Sequence, residues 1–454
     1  MLPEKKRFCL PDWPICMAIL AAVCLVVSLV RFYAGNLCGL LFTTILAPLS
    51  LCGVGLLVFR TNLFRQRSFQ LLLAVFAVFF LSIVLNEKFY GTLLQNRSYF
   101  DALVIYVFVC FPLGFILSEK ARGKALHVLI GLSVGIIAVF CLVGIVAAAS
   151  GAYLTNSFTD YGIGISPDPA DAGAYQRLAV LCYPNAVGMM SCIALLLALY
   201  EALTTKKRFC RALYIVAGCI CYIALALTVS RASMFAASLG LGLYAFRFAM
   251  LHLPKKWRWC RTIAAILLAA LVLAVGYFGF RPVAAGVNQM AAGVSSSAIT
   301  EVAERPVSND IGNLTGRTTL WRAALQSMLD TPRLFLLGVS PCAVGQQTAP
   351  YLASYGIWYQ ELHNSYIQIL YSCGLPCLLL FAVFLFLLVW QSGKGFFSQS
   401  VAMYADGYLP IPLVAILAIA VLETFLLIYQ DLYFANLWMF ILAGYIFGGK
   451  VGQK

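Results

Sequence analysis

Charge is what this sequence has least of. Asp, Glu, Lys and Arg make up only 11% of its 454 residues, while 62% are hydrophobic. A soluble domain carries about a quarter charged residues. There is too little polar surface here to coat a water-soluble particle, and a mean hydropathy of +0.91 excludes an ordinary soluble fold. Histidine is scarcer still, with three in the chain: His127, His252 and His363. The connections assigned below to the outer side hold no Asp-x-Asp pair, and Asp168 and Asp171 in a Gly- and Pro-rich stretch are weak metal ligands. Neither a metal nor another cofactor is expected. No self-similarity at a period of roughly 20–50 residues points to a repeat protein.

Cysteine is not scarce, but most of the 16, including Cys24, Cys52, Cys110, Cys141 and Cys192, fall inside apolar runs. There they act as small hydrophobes. Cys219 with Cys221, and Cys373 with Cys377, lack zinc-ribbon spacing, so a disulfide framework or structural zinc is not expected.

What the chain does have is a series of apolar runs about 20 residues long, the length a helix needs to cross a hydrocarbon layer. They predict an all-α polytopic membrane protein with about twelve spans, near 13–31, 36–59, 69–86, 99–118, 126–150, 178–203, 212–229, 232–250, 262–280, 365–390, 410–429 and 434–449. The first run, from Trp13 to Val30, lacks a clean small-residue cleavage site and reads as a span rather than a signal peptide. The net charge of +14 does not indicate nucleic acid. The basic residues form short clusters between runs: Lys5 to Arg7, Arg60 to Arg67, Lys120 to Lys124, Lys206 to Arg211 and Lys255 to Arg261. Alternate connections carry acids or few charges. By the positive-inside rule both termini face the cytoplasm, with the spans in an inner or plasma membrane, and the acidic connections face outward.

Four regions follow: N-terminal spans and a first outer loop over 1–177, central spans over 178–280, a large outer loop over 281–362, and C-terminal spans over 363–454. The large loop is too long for a bare connection. Within it, Leu320, Trp321, Ala324, Leu325, Met328 and Leu329 make one apolar stripe at helical spacing, with Thr315 as N-cap and Pro332 as terminator. An amphipathic helix on the outer membrane face is expected.

Basic residues on the outer side run against the topology rule and therefore carry information. Arg231, in Thr-Val-Ser-Arg-Ala-Ser, sits between two spans with almost no loop; it either snorkels to headgroups or binds an anion. Arg317 opens the amphipathic helix, where free N–H groups and a guanidinium together suit a phosphate; its alternative is a solvated loop arginine. Arg322 lies on the polar face of that helix and says less. His363, between Glu361 and Asn364 on the outer side, is either structural or a base near neutral pH. Two arginines and one histidine suit an anionic lipid substrate, a lipid diphosphate, whose leaving charge arginines can neutralise.

Several short motifs in the same order resemble the O-antigen ligase and polymerase family. They are Tyr183-Pro184-Asn185-Ala-Val-Gly188, Leu227-Thr-Val-Ser230-Arg231-Ala-Ser, Gly316-Arg317-Thr-Thr-Leu-Trp321-Arg322, Leu337-Gly338-Val-Ser-Pro341, His363-Asn364-Ser-Tyr366-Ile-Gln368 and Gly374-Leu375. Tyr183 stands where the family more often has asparagine. The resemblance covers roughly residues 180–390 and implies a metal-independent, inverting membrane glycosyltransferase of the GT-C kind. It implies a glycan donor on undecaprenyl diphosphate and a glycan, lipid or protein acceptor. It also implies His363 as the base and Arg231 and Arg317, with Arg322 beside them, as diphosphate ligands; Glu361, Asn364 and Asn185 are expected to support them. Membrane lipids are expected partners; nucleic acid is not.

The same features fit a flippase for a lipid-linked oligosaccharide, with no chemistry and with Glu423 and Asp431 as a coupling pair. A cell-wall polymerase of the shape, elongation, division and sporulation group would need an acidic loop motif that is not found here.

Overall fold

The computed structural model describes residues 62–118, 123–154, 162–167, 176–254, 258–294, 316–355, 361–398, 406–428 and 433–449. Among them, eight helices are long and apolar enough to cross a membrane, and the chain is an all-α polytopic membrane protein. The helices are α1 (Arg67–Tyr90), α2 (Arg97–Leu117, with one π turn at Tyr106–Cys110), α3 (Gly123–Ala149), α4 (Pro184–Thr204), α5 (Arg208–Thr228), α6 (Arg231–His252), α7 (Arg258–Phe278), α8 (Phe280–Val294), α9 (Arg317–Asp330), α10 (Arg333–Leu337), α11 (Val344–Leu352), α12 (Ser365–Phe397), α13 (Pro410–Ile419) and α14 (Phe434–Gly448). The two predicted spans before residue 60 lie outside the described residues.

Three expectations need correcting. The segment expected to be the first outer loop contributes a small antiparallel sheet of β1 (Tyr153–Leu154), β2 (Ile163–Pro167) and β3 (Gln176–Val180), in the order β1-β2-β3. The predicted span at 410–429 is not one helix: α13 stops at Ile419 and irregular backbone follows to Ile428. Non-helical backbone inside a membrane protein survives only where protein or a polar cavity satisfies it. Here the start of α12 does so. Ser365 N donates to the Ala420 carbonyl at 2.9 Å and Asn364 Nδ2 to the Val421 carbonyl at 2.8 Å. Ser365 Oγ donates to the Glu423 carbonyl at 2.7 Å and accepts from Phe425 N and Leu426 N at 3.0 and 3.1 Å.

The third correction concerns α9. It begins at Arg317 after Gly316, whose φ is 79°; Thr315 lies outside the described residues. Its buried residues are Leu320, Ala323, Ala324, Ser327 and Met328, while Leu325 and Leu329 of the predicted stripe are exposed. The helix packs into a second apolar core with Leu334, Val339, Val344, Leu352, Leu362 and Tyr371. A core of its own, rather than the membrane surface alone, therefore holds it.

That unit is locked to the long helices at a break in α12. Gly374 has φ 80° and ψ 172°. Pro376 has no N–H to give the Ser372 carbonyl one turn back. The freed carbonyls of Tyr371 and Ser372 instead accept from Val339 N and Ser340 N at 2.8 and 2.9 Å. The contact is closed on both sides by glycine. A Cβ on Gly338 would come within 2.3 Å of Ser372 backbone, and one on Gly374 within 2.3 Å of the Leu336 carbonyl.

Candidate active site

Irregular backbone at 420–428 brings one acid into the protein interior. Glu423 is only 4% exposed, and a buried carboxylate must be paired to stay charged. Its Oε1 accepts from Arg317 Nη2 at 2.8 Å and from Asn185 Nδ2 at 3.1 Å. Its Oε2 lies 3.7 Å from His363 Nδ1, too far for a hydrogen bond. Three of the residues singled out in the sequence, from α4, α9 and the start of α12, thus converge on one carboxylate.

Local structure explains each placement. Asn364 caps α12, its Oδ1 accepting from Tyr366 N and Ile367 N at 3.0 Å each, which satisfies two orphan donors of the first turn. His363 immediately precedes it at φ 48°, in the left-handed region that histidine tolerates better than most residues. Asn185 follows Pro184, the first residue of α4. Four residues after Pro184, Gly188 lets α4 approach the turn between α5 and α6: a Cβ there would meet Ser230 Cβ at 2.7 Å and Thr228 Oγ1 at 2.9 Å. Two motifs far apart in sequence are in contact.

Arg231 is the first residue of α6, directly after that turn, and is partly buried. Arg322 lies five residues beyond Arg317 on α9 and is exposed; five positions turn a helix by about 140° from where it began. The structure does not gather Arg322 with the carboxylate. Glu361 is held by dense surroundings, which push its carboxyl up to about 7; His363 opposes that shift and Glu423 adds to it.

Residues 213–382 match the family model described as O-antigen ligase. The chain carries an O-antigen ligase domain. No curated protein matches it. The ligase domain runs from α5 into α12 and contains Arg231, Arg317, Arg322, Glu361, His363 and Asn364, whereas Asn185 and Glu423 come from outside it. That match supports a membrane protein of surface-polysaccharide ligation or polymerisation, and with it an enzyme of the glycosyltransferase type.

Two members of the cluster were not expected in a transferase site, Glu423 having been named only as half of a flippase's coupling pair. Glu423 had a signal: it is the one acid in the apolar run 410–429, and an ionisable residue there is functional by default. Arg177, on β3, donates through Nη2 to Asn185 Oδ1 and through Nε to the Thr228 carbonyl at 2.7 Å. The rule that drew attention to Arg231, a basic residue in a connection expected to face outward, applied to it equally. At the other end of α4, His127 Nδ1 sits 2.7 Å from Oε1 of buried Glu201.

Proposed function

We propose that this protein transfers a glycan from a lipid diphosphate, undecaprenyl diphosphate in the family it resembles, to an acceptor hydroxyl on the outer face of the membrane. The observation that carries this reading is the convergence of His363, Arg317 and Asn185 on Glu423. The acceptor oxygen attacks the anomeric carbon opposite the diphosphate and forms the new glycosidic bond. The bond from that carbon to the diphosphate oxygen breaks, and its electron pair leaves with the lipid. The hydroxyl proton goes to His363, whose Nδ1 faces Glu423, so Nε2 is the nitrogen that receives it. Attack from the opposite face inverts the anomeric configuration.

Glu423 stabilises the imidazolium as it forms and orients the ring, the role a carboxylate plays behind a histidine base. Arg231 and Arg317 neutralise the departing diphosphate. Arg317 gives one amino group to Glu423 and, with five N–H donors in all, keeps capacity for a phosphate oxygen. Ligase and polymerase differ in the acceptor, which these residues do not define.

The test uses purified full-length protein in nanodiscs with a lipid-diphosphate-linked glycan and an acceptor glycan. Free lipid diphosphate and an inverted linkage are expected, and His363→Ala and Arg231→Ala should insert and fold yet lose transfer. Movement of donor across the bilayer without release of lipid diphosphate would replace this reading with a flippase. Full activity in either variant would remove that residue from the mechanism. Asp431, the other half of a coupling pair, lies outside the described residues.

A further inference from the structure

The Asn185 amide has a donor end and an acceptor end, and the two are bound by groups of opposite character. Its Nδ2 donates to Glu423 Oε1 at 3.1 Å, while its Oδ1 accepts from Arg177 Nη2. Reversing the amide would set oxygen against carboxylate and N–H against guanidinium. Arg177 and Glu423 therefore enforce the same orientation. Arg177 is itself fixed by a second bond, from Nε to the carbonyl of Thr228 at 2.7 Å, so its fork is anchored to the end of α5.

The consequence reaches the histidine. Glu423 Oε1 carries two donors, Asn185 and Arg317, and this leaves Oε2 turned to His363. Without the donation from Asn185, the carboxylate would be free to rotate and offer both oxygens to Arg317, since a bidentate pair is the favoured geometry of guanidinium with carboxylate. Oε2 would then leave the imidazole. We propose that Arg177 is a positioning residue of the transferase site: by holding the carbonyl end of Asn185 it directs that amide's N–H to Glu423 and keeps Oε2 facing His363. This rests on the transferase reading above. It adds a residue of the first outer loop, outside the matched ligase domain, to the machinery.

Arg177→Lys is the informative change, because it keeps the charge and loses the fork that spans Thr228 and Asn185. Asn185→Ala removes the link itself, and the double variant closes a cycle. Transfer kinetics are measured alongside the pH midpoint for diethyl pyrocarbonate modification of His363, followed on its own peptide by mass spectrometry. Among the described residues, Glu361 and Glu423 act on His363 and Arg317 shares Glu423 with it, and all three are unchanged in these variants.

Each single variant is expected to lower kcat at least tenfold with KM for the donor within twofold, and the double variant to be no worse than Asn185→Ala alone. In Arg177→Lys the modification midpoint should fall by about half a pH unit or more, since a retreating carboxylate no longer favours the imidazolium. The proposal is overturned by wild-type kinetics in Arg177→Lys, by effects that multiply in the double variant, or by a rise in donor KM at constant kcat, which would make Arg177 a substrate ligand. A lowered melting temperature with unchanged kcat and midpoint would also overturn it. If the wild-type protein releases no lipid diphosphate, the transferase reading fails, while the labelling midpoint still decides whether Arg177 controls the carboxylate.

Discussion

Replacing Glu423 by glutamine removes one charge and almost no volume from the centre of the site. The wild-type carboxylate holds Arg317 at 2.8 Å and faces His363 at 3.7 Å, with 5% of its side chain exposed. A unit charge pair about 4 Å apart at an effective dielectric near 20 is worth about 4 kcal/mol. In the proposed reaction, the imidazolium formed as His363 takes the acceptor proton would lose an attraction of that order, and about 1.4 kcal/mol corresponds to tenfold in rate. A glutamine dipole recovers part of it. Glu423→Gln should therefore lower kcat by about 100- to 1,000-fold, within the range that general-base catalysis supplies. The donor's KM should not rise, because Arg317 is released from its counter-charge and is freer to meet a diphosphate. Unfolding would not explain the loss: Ser365 holds residue 423 through its backbone carbonyl, which glutamine keeps. The assay is release of lipid diphosphate by purified protein, with thermal unfolding as control. Activity within fivefold of wild type would refute the role given to this carboxylate.

Ser365→Ala removes a hydroxyl that makes three bonds to the 423–426 backbone; unmet buried groups cost about 1–3 kcal/mol, so a lower melting temperature together with reduced kcat is expected. Gly338→Ala meets backbone at 2.3 Å with φ at 66°, and should lower folded yield in detergent sharply, by more than about 3 kcal/mol of stability. Glu361 binds a proton more tightly in the folded protein than its ordinary value of 4.5 allows, up to about 7. The folded state therefore holds more protons across that window, and stability should fall as pH rises from about 4.5 to 7. Glu361→Gln should flatten this fall in a pH series of melting curves, and an unchanged slope would show that Glu361 titrates normally.

Most of the membrane helices were legible because hydrocarbon imposes one rule, a long uncharged run, and α1 to α7 and α12 obey it. The rule fails where backbone polar groups are satisfied by side chains instead of by the helix itself. The run at 410–429 looks like any other span, yet Asn364 and Ser365 give its second half an alternative set of partners. Those partners lie about 60 residues away in the chain, so no local pattern reports them. The sheet at 153–180 escaped for a related reason: its strands are two and five residues long, too short for alternation to stand out from loop composition. In α9 the period was read correctly and its phase was not. Ala323 and Ser327 face the core in place of Leu325 and Leu329, because small side chains let the helix come close to α12, where Tyr371 donates to Ser327 at 2.9 Å.

The first spans carry little of the family's pattern, yet they shape the site indirectly. Ser82 Oγ and Asn86 Nδ2 on α1 donate to the carbonyl of Leu337, the latter at 3.0 Å. Asn96 Nδ2 donates to Ser340 Oγ at 2.7 Å, and Asn96 Oδ1 accepts from Cys342 N at 3.1 Å. The Leu337-to-Cys342 segment is thus held from one side by α1 and the start of α2, and from the other by the break in α12. That break lies about three turns along the helix whose N-terminus carries His363. A tilt of the α9–α11 unit against α1 would be transmitted through α12 to the imidazole, while Glu423, fixed by Ser365 at the same helix start, would move with it. The distance between imidazole and carboxylate is therefore set within one local frame, and the longer chain of contacts through α1 and α2 governs where that frame sits relative to Arg231. Substitutions at Asn86 or Asn96 should consequently disturb donor binding more than the behaviour of the histidine.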